Sequence, residues 1–234
     1  MRRTRTHVFL LGALMLAGCG IDPVRVSDRV STRDMLLGVQ ALDDGVAAAI
    51  DVRVNSPIGT VELTGGDALF VTVDGSRRPM VEGQSNGAPI YSVKLDALPG
   101  DFLLDLERQA DRDVHGVVVE VSSPFALAGG GLTQDLPLSL SWDADPEGGE
   151  VVISVQGDCV APLTRSLDED TGALVITQAE LRPPPAGPPS APCALEVSVS
   201  RTITTRDKLL STNPGGNVTT SAEQRRTIAV TWTP

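Results

Sequence analysis

From about Ala47 onward, apolar and polar residues alternate along the chain. Ile50, Val52 and Val54 are interleaved with Asp51, Arg53 and Asn55. That is the period of a strand with one face buried. Thr60 to Leu63, Ala68 to Val73, Ile90 to Leu95, Phe102 to Leu106 and Gly116 to Ser122 continue the pattern. In the last run Val117, Val119 and Val121 fall on one face. Turn residues part the runs: Gly65-Gly66-Asp67, Asp74-Gly75-Ser76, the stretch Gly83 to Gly87, and Pro99-Gly100-Asp101. Short β-branched runs punctuated in this way predict an antiparallel sandwich or barrel. Pro124 and Gly129-Gly130-Gly131 close this first unit.

A second unit starts at Leu136. Leu138, Leu140 and Trp142 alternate with Ser139, Ser141 and Asp143, and Val151, Ile153 and Val155 form the next inner row. Ala173 to Ile176 is a shorter run. Pro183 to Pro192 holds six prolines in ten residues. Proline cannot donate to a ladder, so this is an extended surface loop. Two long runs finish the chain. Cys193 to Lys208 puts Leu195, Val197, Val199 and Ile203 on one face, and Thr219 to Thr233 does the same with Ile228, Val230 and Trp232. They pair as a hairpin through Asn213-Pro214-Gly215-Gly216-Asn217, a loop too long for a tight turn and expected to have a mobile tip. Trp142 and Trp232 both lie on the apolar parity and read as core. Arg201 interrupts the inner row of its strand. A buried unpaired guanidinium is too costly to tolerate, so Arg201 must reach water or meet a carboxylate. The Asp168-Glu169-Asp170 turn is the nearest source, and Asp170 is the expected partner.

The segment before Ala47 is different. Arg2, Arg3 and Arg5 precede an apolar stretch of ten residues, Val8 to Ala17. A spanning helix needs about 20, so this reads as a signal peptide. It ends in Leu16-Ala17-Gly18-Cys19, which resembles a bacterial lipobox at all four positions. The resemblance implies cleavage before Cys19 and lipidation of Cys19, and the following Gly20 fits export to the outer membrane of a Gram-negative bacterium. Residues 19–45 are expected to form a tether, with one or two helical turns over Met35 to Leu42 weakened by Gly38. The expected organisation is thus signal peptide 1–18, lipidated tether 19–45, and two β-sandwich domains at 46–128 and 132–234.

Charge and chemistry narrow the function. Loss of the three leader arginines takes the net charge from −11 to −14, with 16 basic against 30 acidic residues. Such a balance argues against nucleic acid and suits a self-repelling soluble surface. Aromatic residues make up only 3%, too few for a stacking platform. With Cys19 given to lipid, Cys159 and Cys193 remain as an even pair in an oxidising compartment and read as one disulfide. Two cysteines with one mature histidine do not make a structural zinc site. His115 reads as an exposed strand-end residue. No Gly-x-Ser-x-Gly elbow or phosphate-cradling glycine loop occurs. Asp143, Asp145 and Glu147 form the metal candidate: alternating carboxylates before Gly148 can wrap calcium. The match to an EF-hand loop fails at Ser154, where a glutamate is needed.

Several strings carry a resemblance. They are Ser56-Pro57-Ile58-Gly59-Thr60-Val61-Glu62-Leu63, Gly66-Asp67-Ala68-Leu69, Leu140-Ser141-Trp142, Gly157-Asp158-Cys159, Asp170-Thr171-Gly172 and Cys193 to Arg201. Over most of residues 50–234 the chain is similar to uncharacterised lipoproteins of myxobacteria-like bacteria. The resemblance implies a tandem immunoglobulin-like arrangement and brings no activity with it. The expectation is therefore an all-β protein of two immunoglobulin-like sandwiches, held to a membrane through lipid on Cys19. Its expected role is structural, adhesive or scaffolding, with an envelope protein as partner and no enzymatic activity or resident cofactor. The alternatives are a calcium- or carbohydrate-binding module using the acidic loops and, more remotely, a hydrolase with scattered carboxylates.

Overall fold

The computed structural model describes residues 24–98, 100–130, 132–133, 136–145, 147, 149–183, 192–208 and 216–233. Apart from two 3-10 turns at Ser27–Arg29 and Thr32–Asp34, the described elements are all strands. The first group comprises β1 (Arg25–Val26), β2 (Leu36–Asp43), β3 (Ala48–Ser56), β4 (Gly59–Glu62), β5 (Ala68–Val73), β6 (Ser76–Pro79), β7 (Val81–Ser85), β8 (Ala88–Leu95), β9 (Phe102–Glu107) and β10 (Val114–Val119). The second comprises β11 (Leu127–Gly130), β12 (Leu132–Thr133), β13 (Leu138–Trp142), β14 (Glu150–Gln156), β15 (Leu163–Leu167), β16 (Ala173–Ile176), β17 (Cys193–Lys208) and β18 (Asn217–Thr233).

One large sheet runs through the whole molecule in the order β1-β4-β3-β2-β18-β17-β14-β15, with β8 joined to β3, β7 to β8 and β12 to β18. Two small sheets cover its inner face at different places. The sheet β10-β9-β5-β6 encloses one core, and β11-β13-β16 encloses the other. The first core gathers Leu37, Val39, Ile50, Val52, Val54, Leu69, Val71, Phe102, Leu104 and Leu106. The second gathers Leu138, Leu140, Trp142, Val151, Ile153, Val155, Val197, Val199 and Trp232. These rows are the period-two positions of the sequence, so alternation alone decided which side chains face inward.

The long hairpin β17–β18 joins the two units. Near its base, Glu196 to Thr202 pair with β14. Toward its tip, Asn217 to Gln224 lie parallel to β2. Accordingly Val218 and Ala222 belong to the first core, whereas Leu195, Val230 and Trp232 belong to the second. A domain limited to residues 132–234 therefore does not describe this arrangement, because the first half of β18, Asn217 to Gln224, completes the first sandwich. At about 3.3 Å per residue, the 17 residues of β18 span about 55 Å.

Three expectations change. Residues 24–45 are not a tether. Met35 is fully buried, and β2 sits between β3 and β18. The helical turn expected over Met35 to Leu42 is this strand. Leu37, Val39 and Ala41 alternate inward at period two, and Gly38 offers no side chain to hold a helical turn. The break between units also falls earlier than Gly129. Val121 packs on the first core and Phe125 lies in the second. Gly129 is not a linker but part of β11, where a Cβ would stand 2.6 Å from Ile228 Cδ1 and 2.9 Å from Leu140 Cδ2. Its glycine is there because the strand is packed against its neighbours. The proline-rich loop beyond Pro183 and the hairpin tip expected to be mobile lie outside the described residues.

Candidate functional site

Arg201, Asp170 and Asp143, singled out from the sequence, come together where the two units meet. β17 carries Arg201 on its inner face, and the side chain is 1% exposed. The turn before β16 supplies Asp170, 2% exposed. Arg201 Nε and Nη2 donate to Asp170 Oδ2 at 2.9 and 2.5 Å. Nη1 donates to the Ser123 carbonyl at 2.9 Å and Nη2 to the Asp143 carbonyl at 2.6 Å. The guanidinium also lies 4.8 Å from the centre of the Phe125 ring. The expected pairing with Asp170 is therefore present, and the inner row continues through Arg201 without a shift of register.

Asp170 is the hub of this cluster. Its Oδ1 accepts from Trp142 Nε1 at 2.7 Å and from the Gly172 N–H at 3.1 Å, and its Oδ2 accepts from the Asp145 N–H at 3.0 Å. Gly172 permits the turn. It has φ +71°, and a Cβ there would stand 2.8 Å from the Trp142 carbonyl. Burial pushes the Asp170 pKa up, but the donors from Asp145, Trp142, Arg201 and Gly172 outweigh it and hold the carboxyl below its ordinary value. Trp142 is a core residue whose indole N–H fixes this carboxylate.

A partly exposed ion pair extends the cluster toward the first unit. Arg226 Nη1 donates to Asp43 Oδ1 at 3.1 Å and to its carbonyl at 3.2 Å. Asp43 Oδ2 in turn accepts from the Leu98 N–H at 3.1 Å. Arg226 also reaches Gln224 Oε1 at 3.0 Å and lies 5.5 Å from the Phe125 ring. Phe125 thus lies near two guanidinium groups, one paired with each unit.

The expected calcium residues Asp143, Asp145 and Glu147 lie in the turn that follows β13. Among the described residues no group of three His, Cys, Asp or Glu side chains could hold a metal ion. The acidic turn has other uses. Asp145 accepts from the Ser123 and Glu147 N–H groups, and Asp143 Oδ2 accepts from the Ala126 N–H. Burial raises the Asp145 pKa, but the Ser123 and Glu147 donors prevail and lower it. Glu147 is exposed. A calcium ion here would also face the Arg201 guanidinium, which already occupies the Asp143 carbonyl. Asp143 and Asp145 thus serve as backbone caps in this turn.

Cys159 and Cys193 form the expected disulfide, with their Cα atoms 6.3 Å apart. It closes a 34-residue separation across the second core, and Cys159 is buried. A structural disulfide belongs to an oxidising compartment and fits an exported protein. Cys19 lies outside the described residues. His115 is 61% exposed on β10, 3.7 Å from Asp105 and 3.6 Å from Asp113.

The sequence reading missed a second latch of the same kind. Arg108 and Asp67 are 1% and 2% exposed and meet at 2.7 Å. Arg108 also donates to the Ser27 and Val30 carbonyls at 2.7 and 2.9 Å and to Thr32 Oγ1 at 3.0 Å. The signal was available. Phe102, Leu104 and Leu106 set an inward parity, and Arg108 is the next position on it.

No family model matches this chain, and no curated protein matches it. Among solved structures it is similar to the chicken CNTN1 FN1-FN3 domains at 11% identity and a TM-score of 0.30, over 88% of this chain and 65% of that one. The all-β sandwich assignment rests on the strand pairing described above.

Proposed function

We propose that this chain is a lipid-anchored cell-envelope protein with a non-enzymatic structural, adhesive or scaffolding role. One observation carries the proposal. The chain enters the fold at β1, at the end of the first unit away from the second, and the second unit stands at the other end of a shared sheet. A lipid on Cys19 would hold the first end at a membrane and present the second unit outward. The Leu16-Ala17-Gly18-Cys19 string and the disulfide support export, and Gly20 favours the outer membrane of a Gram-negative host. The partner would be another envelope component that meets the loops or edges of the distal unit. The buried charges support this role, because their hydrogen-bonding capacity is spent on holding turns and linker in place.

The test is metabolic labelling with a fatty acid, followed by fractionation of the envelope. The wild-type chain should carry label and sediment with membranes. Cys19→Ser should lose the label and remain uncleaved or become soluble. Label retained by Cys19→Ser, or a wild-type chain found only in the soluble fraction, would reject the proposal.

A further inference from the structure

We propose that the base of the first unit rests directly on the bilayer, with Val24 and Ile58 against its headgroup layer. This inference rests on the lipid anchor at Cys19. Only five peptide steps separate Cys19 from Val24, and five residues reach at most about 18 Å when fully extended. A tether running to residue 45 would have left the body free to hang well away from the surface. The observed fold takes up all of that segment from Val24 onward, so the body must lie close to its anchor.

The strand register says which surface faces down. β1 runs parallel to β4, with Arg25 opposite Val61 and Val26 opposite Glu62. The chain therefore enters beside the Pro57-Ile58 turn that opens β4. At the same end lie the start of β2, opposite Asn55, and the start of β18, opposite Leu36. Ile58 is 60% exposed there and Val24 is 43% exposed. Two apolar side chains are thus left exposed beside the point of chain entry, Ile58 on its turn and Val24 just before β1. Arg25, Arg29 and Arg33 are exposed on the same segment together with Asp28 and Asp34; Arg33 is paired with Asp34 at 3.8 Å, which leaves Arg25 and Arg29 as the basic groups nearest the chain's entry. Three arginines within nine residues are a local exception in a chain of net charge −11. An interfacial contact combines shallow apolar insertion with basic residues at the headgroups, and this end of the molecule offers both. At the opposite end of β2, Val46 is 88% exposed on the turn to β3. It is about 25 Å further from the base along the strand and serves as an internal control.

The experiment uses full-length lipidated protein in vesicles of phosphatidylethanolamine and phosphatidylglycerol, with and without brominated acyl chains. Ile58→Trp, Val24→Trp and Val46→Trp are compared with the wild type, whose own Trp142 and Trp232 supply the background. Mass spectrometry of the amino-terminal peptide first establishes acylation of Cys19. Bromine should quench the added indole at positions 58 and 24 strongly and at position 46 not at all. Acylated protein with equal quenching at all three positions, or none, overturns the seated base and leaves the anchor standing. An indole at position 58 that is shielded from aqueous iodide yet untouched by bromine would mean that a second copy of the chain covers the patch, which also overturns the inference. A chain without acyl groups rejects the anchor, and the seated base falls with it.

Discussion

The two buried arginine–aspartate pairs use the same chemistry for different tasks. Arg108 and Asp67 close the outer end of the first unit, where the guanidinium holds the carbonyls of Ser27 and Val30. Arg201 and Asp170 lie where the units meet, and that guanidinium holds the carbonyls of Ser123 and Asp143. The first fastens the entering chain to its own sandwich. The second fastens the linker between sandwiches to a turn and a strand of the second. Their carboxylates differ as well. Asp67 takes one further donor, the Gln109 N–H, whereas Asp170 takes three, from Trp142, Asp145 and Gly172. A buried arginine thus gathers irregular backbone whose carbonyls no ladder can satisfy, and its place in the fold decides what that gathering accomplishes.

Removing either guanidinium is the strongest way to test this contrast. Arg201→Ala and Arg108→Ala each leave a buried carboxylate uncompensated, and each should cost about 3–5 kcal/mol in denaturant unfolding. Hydrogen exchange should separate them. Arg108→Ala should speed exchange over residues 27–34, whereas Arg201→Ala should speed it over residues 122–126 and the Asp143 turn. Identical exchange maps would mean that the two latches do not act locally.

Opening the disulfide perturbs the second unit alone at first. Replacing Cys159 and Cys193 together with alanine should cost about 4 kcal/mol for a loop of this length in the chain-entropy model. The shared hairpin should make the first unit lose stability too, since Val218 and Ala222 leave its core when β18 detaches. Two separate unfolding transitions, with the first unit unaffected, would show that the hairpin does not couple them.

Trp142→Phe removes one donor from Asp170 and keeps most of the packing volume. A hydrogen bond to a charged group is worth about 2 kcal/mol, and stability should fall by about that amount. Asp170 also sets a pH dependence. Its pKa in the folded state lies below the unfolded value, so its stabilisation is complete above the ordinary carboxylate pKa and is lost as pH falls through the lowered one. Trp142→Phe should therefore move the acid-unfolding midpoint, followed by circular dichroism, to higher pH. A midpoint unchanged or lowered would contradict the role given to the indole.

Strand positions and inward faces were legible in the sequence because one buried face imposes a period of two. The same rule located Arg201 and led to Asp170, since a charge on an apolar row demands a partner. It applied equally to Arg108, where the row of Phe102, Leu104 and Leu106 ends on the charge instead of continuing past it as the row of Arg201 does. β2 was hidden by Gly38 and by an unbroken apolar Met35-Leu36-Leu37, which blur strand and helical patterns. β6 and β7 carried no strand signal, and only Ser76 and Gly83 to Ser85 were assigned, to turns, because Ser76 to Pro79 and most of Val81 to Ser85 are exposed and have little apolar character. The passage of β18 from one sandwich into the other could not be read locally. It depends on a parallel pairing with β2, about 180 residues away. In the acidic turn, alternating carboxylates suit backbone capping and cation binding alike, and the capping by Asp143 and Asp145 depends on three-dimensional placement.

A membrane-held body of the proposed kind would stand on its first unit and lift the second away from the surface. Neutron reflectometry of the full-length lipidated protein on a supported bilayer tests it most directly. An upright molecule should give a protein layer about 55 Å thick or more, set by the length of β18, beginning at the headgroups. A layer of about 25 Å, the depth of two packed sheets with their side chains, would mean that the molecule lies flat and would contradict the account.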